Sequence, residues 1–306
     1  MKKVLVVVGM LLLCALAFSK DKIGVTYVKS PLNVPSIVER EKGIFQKAFE
    51  KWGLEVEYST LTAGPDQTNA LASGDIQFLH AVGATSVILA AANGLDIKII
   101  DVYSRAPGAY MLFSKTKIPT DAASLKGKKV AGPKGTILHE LLLAFLAKNG
   151  LKESDVEFIK MDIPNAKAAL DNGSIDIALL AGPAAYNAEL AGNYIVATGE
   201  GLIDPVIVSA TSEKYLKSNP EVVEAFLQAR KDILAYMAEN YDEVIALSAK
   251  ETDLDKEAVL KMYPLYDFDN TIRDSDVSAM EKTMDFMLQN GMIEKKVDIK
   301  SLILTK

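Results

Sequence analysis

The sequence predicts a two-lobed α/β protein, each lobe a mainly parallel sheet flanked by helices, and three observations carry that prediction. The first is an internal repeat: ALASGDIQFLHAVGA, Ala70 to Ala84, returns 99 residues later as ALDNGSIDIALLAGP, Ala169 to Pro183. Both copies hold a helix end with Ala-Leu, a Gly stop, a short apolar strand and a Gly-containing turn, so one supersecondary unit is used twice. The second is the alternation of strand, loop and helix at α/β spacing. The third is size: 306 residues, 49% apolar and 24% charged, are enough for two packed cores.

The elements follow in order from local pattern. Ile23 to Val28 is a β-rich run, and Ser30-Pro31-Leu32-Asn33 is the loop that opens a helix over Ile37 to Lys51. In that helix Glu39, Arg40, Glu41 and Lys42 form a charged face opposite Ile37, Ile44, Phe45 and Phe49. A strand over Glu55 to Tyr58 leads through Thr62-Ala63-Gly64-Pro65-Asp66 to the helix carrying Ala70-Leu71. A strand over Ile76 to Leu79, a turn at Gly83, a helix over Thr85 to Ala92 and a strand over Ile97 to Tyr103 follow. Tyr110 to Ser114 reads as a strand leaving this lobe, and Asp121 to Leu125 as a short helix. A second lobe opens at Lys126 to Ala131. Its turn Gly132 to Thr136 starts the apolar helix Ile137 to Lys148, and strands at Val156 and Ile175 to Leu180, with a helix from Asn165 to Asp171, repeat the first plan.

Tyr194 to Thr198 adds a strand, and Val206 to Ala210 crosses back. Beyond Thr211 the pattern is helical: one helix begins at Pro220, where a missing N–H is harmless, and others cover Asp242 to Ala249, Lys256 to Met262 and Ser275 to Gln289. The resulting division is 1–19 as an export signal, 20–110 with 207–306 as the first lobe, and 111–206 as an inserted second lobe. Two crossing strands then make a hinge.

Lys2-Lys3, the apolar run Val4 to Leu13 and the small-residue stretch Cys14 to Ser19 form a secretory signal, with cleavage expected after Ala17 or Ser19. The run is short for a membrane anchor. Lipidation at Cys14 is the other alternative, disfavoured because Leu13 stands where a small residue is normal. Cys14 is the only cysteine, so the cleaved chain has neither disulfides nor thiolate chemistry. It carries 32 basic against 40 acidic side chains, which argues against nucleic acid as a partner.

Ligands of open α/β sheets sit beyond the carboxyl ends of strands. Four turns qualify: Ser30 to Asn33, Gly83 to Ser86, Gly135-Thr136 and Gly182-Pro183. Each offers backbone N–H groups at a helix start, and three add a hydroxyl, a combination suited to an oxyanion or a carbonyl-rich solute. The site set is therefore Ser30, Asn33, Gly83, Thr85, Ser86, Gly135, Thr136 and Gly182. His80 and His139 read as packing residues, and Lys29, Lys134 and Arg105 as solvated surface near the loop mouths. No zinc helix, dinucleotide loop or Gly-x-Ser-x-Gly elbow is present, so no catalytic residue, metal or cofactor is expected.

Several stretches resemble the periplasmic solute-binding proteins of ABC importers, in the branch of aliphatic-sulfonate, taurine, nitrate and thiamine-precursor binders. They are Glu41 to Phe45, Ala70 to Ile76, Leu125 to Ala131, Gly135-Thr136 with His139, Ala168 to Asp176, and Asn219 to Val223. The resemblance implies a type II periplasmic binding fold, a solute clasped at the hinge by the turns named above, a membrane permease as partner, and a monomer in the periplasm. Members often carry a bulky or acidic residue before the proline matching Pro183. Ala181-Gly182 is small here, which implies a roomier pocket and is at odds with a small sulfonate. The rival readings are an exported enzyme related to those of pyrimidine or menaquinone synthesis, and a ligand sensor.

Overall fold

The computed structural model describes residues 21–304, so the expected export signal over 1–19, with Cys14, lies outside the described residues. The chain begins β1 (Lys22–Thr26), α1 (Val34–Lys42), α2 (Ile44–Phe49), β2 (Glu55–Ser59), α3 (Gly64–Ser73), β3 (Leu79–Gly83), α4 (Ala84–Ala92) and β4 (Lys98–Arg105). It continues through β5 (Tyr110–Ser114), α5 (Ala122–Leu125), β6 (Lys129–Gly132), α6 (Ile137–Lys148), β7 (Glu157–Lys160), α7 (Ile163–Asn172), β8 (Ile177–Ala181), α8 (Pro183–Leu190) and β9 (Tyr194–Thr198). Last come β10 (Val206–Thr211) and the helices α9 (Glu213–Ser218), α10 (Pro220–Glu239), α11 (Tyr241–Thr252), α12 (Lys256–Met262), α13 (Asp274–Gln289) and α14 (Ile299–Leu302).

The two lobes are built to one plan. β1 pairs in parallel with β2 and touches β3 through a Val25–Phe78 bridge, while β10 runs antiparallel between β3 and β4. The other sheet has order β7-β6-β8-β5-β9, parallel from β7 to β8 and antiparallel on both sides of β5. Each lobe therefore has a strand order of second, first, third, an antiparallel visitor, then the last strand. The sequence repeat falls on the matching units α3-β3-α4 and α7-β8-α8, whose first helices stop at Gly74 and Gly173 with φ of 85° and 77°. The chain crosses between lobes at 106–109 and 199–205. The crossings lie side by side, since Gly199 N–H donates to Tyr110 O at 2.9 Å.

Three local expectations are corrected. The helix expected over Ile37 to Lys51 is two helices, because Gly43 takes a left-handed conformation (φ 60°) and turns the chain between α1 and α2. The strand expected at Ile76 to Leu79 forms three residues later. Gln77 and Phe78 instead bond to Gly24 O, and only from Leu79 does the chain find β10. Arg105, read as solvated, anchors the segment before α13: Nε donates to Asp276 Oδ1 at 2.6 Å, Nη1 to Asp269 O at 2.9 Å and Nη2 to Thr271 O at 2.7 Å.

The break at Gly43 also explains Glu39, which was placed on the charged face yet is 1% exposed. Its Oε1 accepts from Phe45 N–H (3.1 Å) in the first turn of α2 and from the Tyr58 hydroxyl (2.7 Å). Burial pushes its carboxyl up from 4.5 to about 7, against the opposing pull of those two donors. The folded protein thus holds a proton here that the unfolded chain releases. Stability from this group is complete below pH 4.5 and lost as pH rises through about 7, an effect on the order of 3 kcal/mol. Urea melts at pH 5 and pH 8 should show that decline in the wild type and a much flatter profile in Glu39→Gln. Equal slopes in both proteins would remove Glu39 as the cause.

Candidate functional site

A cavity of about 660 Å³ lies between the lobes, walled by the loops that leave the first three strands of each sheet. From the first lobe come Ser30, Pro31 and Asn33 after β1, Thr62 to Gln67 after β2, and Ala81, Gly83 and Ser86 at β3 and α4. From the second come Pro133, Lys134 and Thr136 to Leu138 after β6, Lys160 to Pro164 after β7, and Ala181, Pro183, Ala184 and Asn187 around α8. Tyr110 and Ile207, from the strands beside the crossings, complete the wall.

Six helices start at this wall, and five of them lack a side-chain cap: α1, α3, α4, α6 and α8. Only α7 is capped, by Asp162, whose Oδ1 accepts from Asn165 N–H at 2.8 Å. An uncapped start carries the positive end of the helix dipole, although Pro35, Pro65 and Pro183 each remove a first-turn donor from α1, α3 and α8, and the Ser36 N–H of α1 donates to the Tyr103 hydroxyl at 3.1 Å. Five such ends converging from both lobes make a field suited to an anion, with no buried cation required. The side chains of Ser86, Thr136 and Asn33 serve to hold the loops. Ser86 Oγ donates to Gly135 O at 2.9 Å, Thr136 Oγ1 to Pro133 O at 2.8 Å, and Asn33 Nδ2 to Val28 O at 2.7 Å.

Of the residues read from the sequence, Ser30, Asn33, Gly83, Ser86 and Thr136 line the cavity. Thr85, Gly135 and Gly182 stand outside its wall, at contacts between the lobes. Thr85 donates to Glu140 Oε2 at 2.6 Å, and Thr283 of α13 to Oε1 of the same carboxylate at 2.8 Å. Glu140 is buried, and its carboxyl is pushed up by burial although both hydroxyls oppose this. Gly135 opposes Leu89 and Pro65 of the first lobe. Gly182 (φ 58°, ψ −137°) lies against the Pro31 backbone of the first lobe, where any side chain would overlap the Pro31 carbonyl. The small residue before Pro183 is therefore explained by close approach of the lobes and not by pocket room.

Both histidines pack, as read. His80 is buried between Phe45, Tyr103 and Phe226. His139 accepts from Gly135 N–H at Nδ1 (3.3 Å), so Nε2 carries the proton toward Glu153 Oε2 at 2.7 Å, and burial lowers its pKa. Lys29 donates to Glu251 O, and Lys134 lines the cavity while paired with Glu153 at 2.9 Å.

The loops after β2 and β7, Thr62 to Gln67 and Lys160 to Pro164, were missed. Their signal was present in the prolines Pro65 and Pro164, each at the start of a helix that follows the second strand of a lobe. Ala81 also escaped notice. A register shift skips it between β3 and β10, and it sits in the wall with φ 76°, a strained conformation for a residue with a Cβ. Among the described residues no group of three His, Cys, Asp or Glu could hold a metal, and no helix is long and apolar enough to cross a membrane.

Several proteins of similar sequence or build are named as binding proteins. A protein of Bacillus subtilis named as an aliphatic sulfonates-binding protein is 30% identical over 289 residues, 92% of this chain and 85% of its own. The periplasmic aliphatic sulphonate binding protein of Escherichia coli superposes with a TM-score of 0.76 at 24% identity, covering 94% of this chain and 93% of its own. A desulfurization enzyme shares the fold at a TM-score of 0.68 and 16% identity, covering 94% and 97%. The family model described as NMT1/THI5 like matches residues 31–244, and this chain belongs to that family.

Proposed function

We propose that this chain is the extracytoplasmic solute-binding component of an ABC importer, capturing a small organic anion between its lobes and presenting it to a membrane permease. The observation that carries the reading is the convergence of five uncapped helix starts from both lobes on one cavity. A sulfonate on an organic body is the favoured solute. A bare nitrate, at about two water volumes or roughly 60 Å³, fills little of the space, and Tyr110, Ile137, Leu138, Met161 and Ile207 offer apolar wall to a larger body. Pyrimidines and thiamine precursors come next. The relatives above, named for aliphatic sulfonates, support placing sulfonates first. We further infer that the lobes divide close to 20–110 with 207–306 against 111–206, Tyr110 itself pairing in the second sheet and Val206 in the first, that residues 1–19 are removed on export to the periplasm, and that the protein acts as a monomer without a cofactor.

Binding works by differential contact: a solute that touches both lobes favours the closed form over the open one. The test is a thermal-shift screen of alkanesulfonates, nitrate, pyrimidines and thiamine precursors. A true ligand at a hundred times its Kd adds about 2.7 kcal/mol, which raises Tm by several degrees. Thr136→Trp should abolish that rise while leaving the unliganded melt near its wild-type value; a shift that persists would take Thr136 out of the site. The desulfurization enzyme makes turnover the competing reading. Recovery of the sulfonate unchanged after overnight incubation supports capture without chemistry, and a new product would overturn it.

A further inference from the structure

We propose that the lobes close on the solute with uptake of a proton by Glu140, so that capture tightens as the medium turns acid. This rests on the reading of two lobes closing on a solute, and adds the proton as a second ligand of the closed form. Glu140 belongs to α6 of the second lobe, yet both side chains that donate to it belong to the first. The Thr85 hydroxyl of α4 is 2.6 Å from Oε2, and the Thr283 hydroxyl of α13 is 2.8 Å from Oε1. The starts of α4 and α6 meet here across the lobes, since Ser86 Oγ donates to Gly135 O at 2.9 Å and Ile137 packs over Gly83. Glu140, Thr85 and Thr283 are all buried in this contact.

Parting the lobes takes both donors away and returns the carboxyl to water, where its affinity for protons is the ordinary one. Closing withdraws it from water beside two hydroxyls and no cation. The elements packed on it, α4, β5 and β8, carry no charged side chain. His139 of α6 turns to Glu153, and on α13 Asp276 is paired with Arg105, Lys282 with Asp204 and Asp285 with Lys296. Burial raises the Glu140 pKa in the closed form, with help from the Asp204 charge and against the pull of both hydroxyls. The closed form therefore holds a proton that the open form releases in the range just above the ordinary carboxylate pKa. Affinity rises as pH falls through that range and levels off below it. Protonation leaves the contact in place, because a threonine hydroxyl can turn to accept from the acid while donating to a carbonyl of the preceding helical turn.

The experiment is calorimetry of butanesulfonate binding to the full mature chain, in buffers of different ionisation heat, which counts the protons taken up. The wild type should take up a measurable fraction of a proton between pH 8 and pH 5, and bind at least about fivefold more tightly at the lower pH. Glu140→Gln, which stands in for the protonated carboxyl, should bind at pH 8 about as tightly as the wild type does at pH 5, with a flat profile and no uptake. Glu39, which also titrates in this range, is retained in that variant, so the difference belongs to Glu140. Absence of uptake in the wild type at every pH overturns the proposal without any variant, as does uptake that persists in Glu140→Gln. If Glu140→Gln fails to fold, Thr283→Val takes its place: loss of one donor should move the profile to higher pH, and an unmoved profile overturns the proposal. If butanesulfonate does not bind, the sulfonate reading fails by itself, and the solute-free chain decides by small-angle scattering. A radius of gyration that contracts from pH 8 to pH 5 in the wild type and not in Glu140→Gln supports the coupling, and equal radii at both pH values overturn it.

Discussion

Gly182→Val should lose ligand-induced stabilisation almost completely and weaken solute affinity by at least about a hundredfold, because most of the affinity depends on contact with both lobes. Gly182 has φ 58° and ψ −137°, a conformation that residues with a Cβ avoid. Its position against the Pro31 backbone leaves no room for a side chain while the lobes are together. Two effects follow, and they separate by measurement. Local strain lowers the unliganded stability by about 1–3 kcal/mol, seen as a lower Tm. Steric exclusion holds the lobes apart, seen in small-angle scattering as a radius of gyration that no longer contracts when ligand is added. A variant that still contracts and binds as the wild type does would show that Gly182 and Pro31 do not limit closure.

The second large effect concerns stability alone. Arg230 of α10 is fully buried, its Nε 2.9 Å from Asp101 Oδ2 of β4 and its guanidinium 4.9 Å above the Tyr103 ring. Arg230→Met leaves the Asp101 carboxylate, 3% exposed, without its counter-charge, a loss expected to cost about 3–5 kcal/mol. Removing both charges is a different matter, because a buried pair contributes little beyond what apolar packing supplies. The double variant Asp101→Leu with Arg230→Met should therefore recover most of the loss, giving a coupling energy of about 2 kcal/mol or more in urea denaturation. Additive losses would mean that the two side chains act independently.

The Asp101–Arg230 pair also marks a limit of what the chain shows before it folds. Nothing in the spacing of residues 129 positions apart announces a pair. Glu39 is a similar case: in a continuous helix over Ile37 to Lys51 it belongs with Arg40, Glu41 and Lys42 on a wet face. One left-handed glycine at Gly43 redirects α2, so that the carboxylate meets the amide of Phe45. Arg105 reads as a surface cation until the backbone carbonyls of Asp269 and Thr271 are brought to it by a loop more than 160 residues away. Each error has the same origin, a side chain whose surroundings come from distant parts of the chain.

What the sequence determined by itself was the part governed by neighbours along the chain. The apolar helix α6, the half-buried helix α12, the strands β5 and β9, and the glycine stops that mark both copies of the repeat depend on local periodicity and on φ values open to few residues. The repeat could therefore announce two like lobes, and the logic of strand exits could pick Ser30, Asn33, Gly83, Ser86 and Thr136 for the cavity wall. Which exits face one another was decided only by tertiary structure. The antiparallel visitors β5 and β10 and the paired crossings set the angle between the lobes. That angle sends Thr85, Gly135 and Gly182 to contacts between the lobes, and brings Gln67 and the loop after β7 into the wall. Such placement rests on long-range packing between segments a hundred residues or more apart, for which local sequence carries no periodic signal.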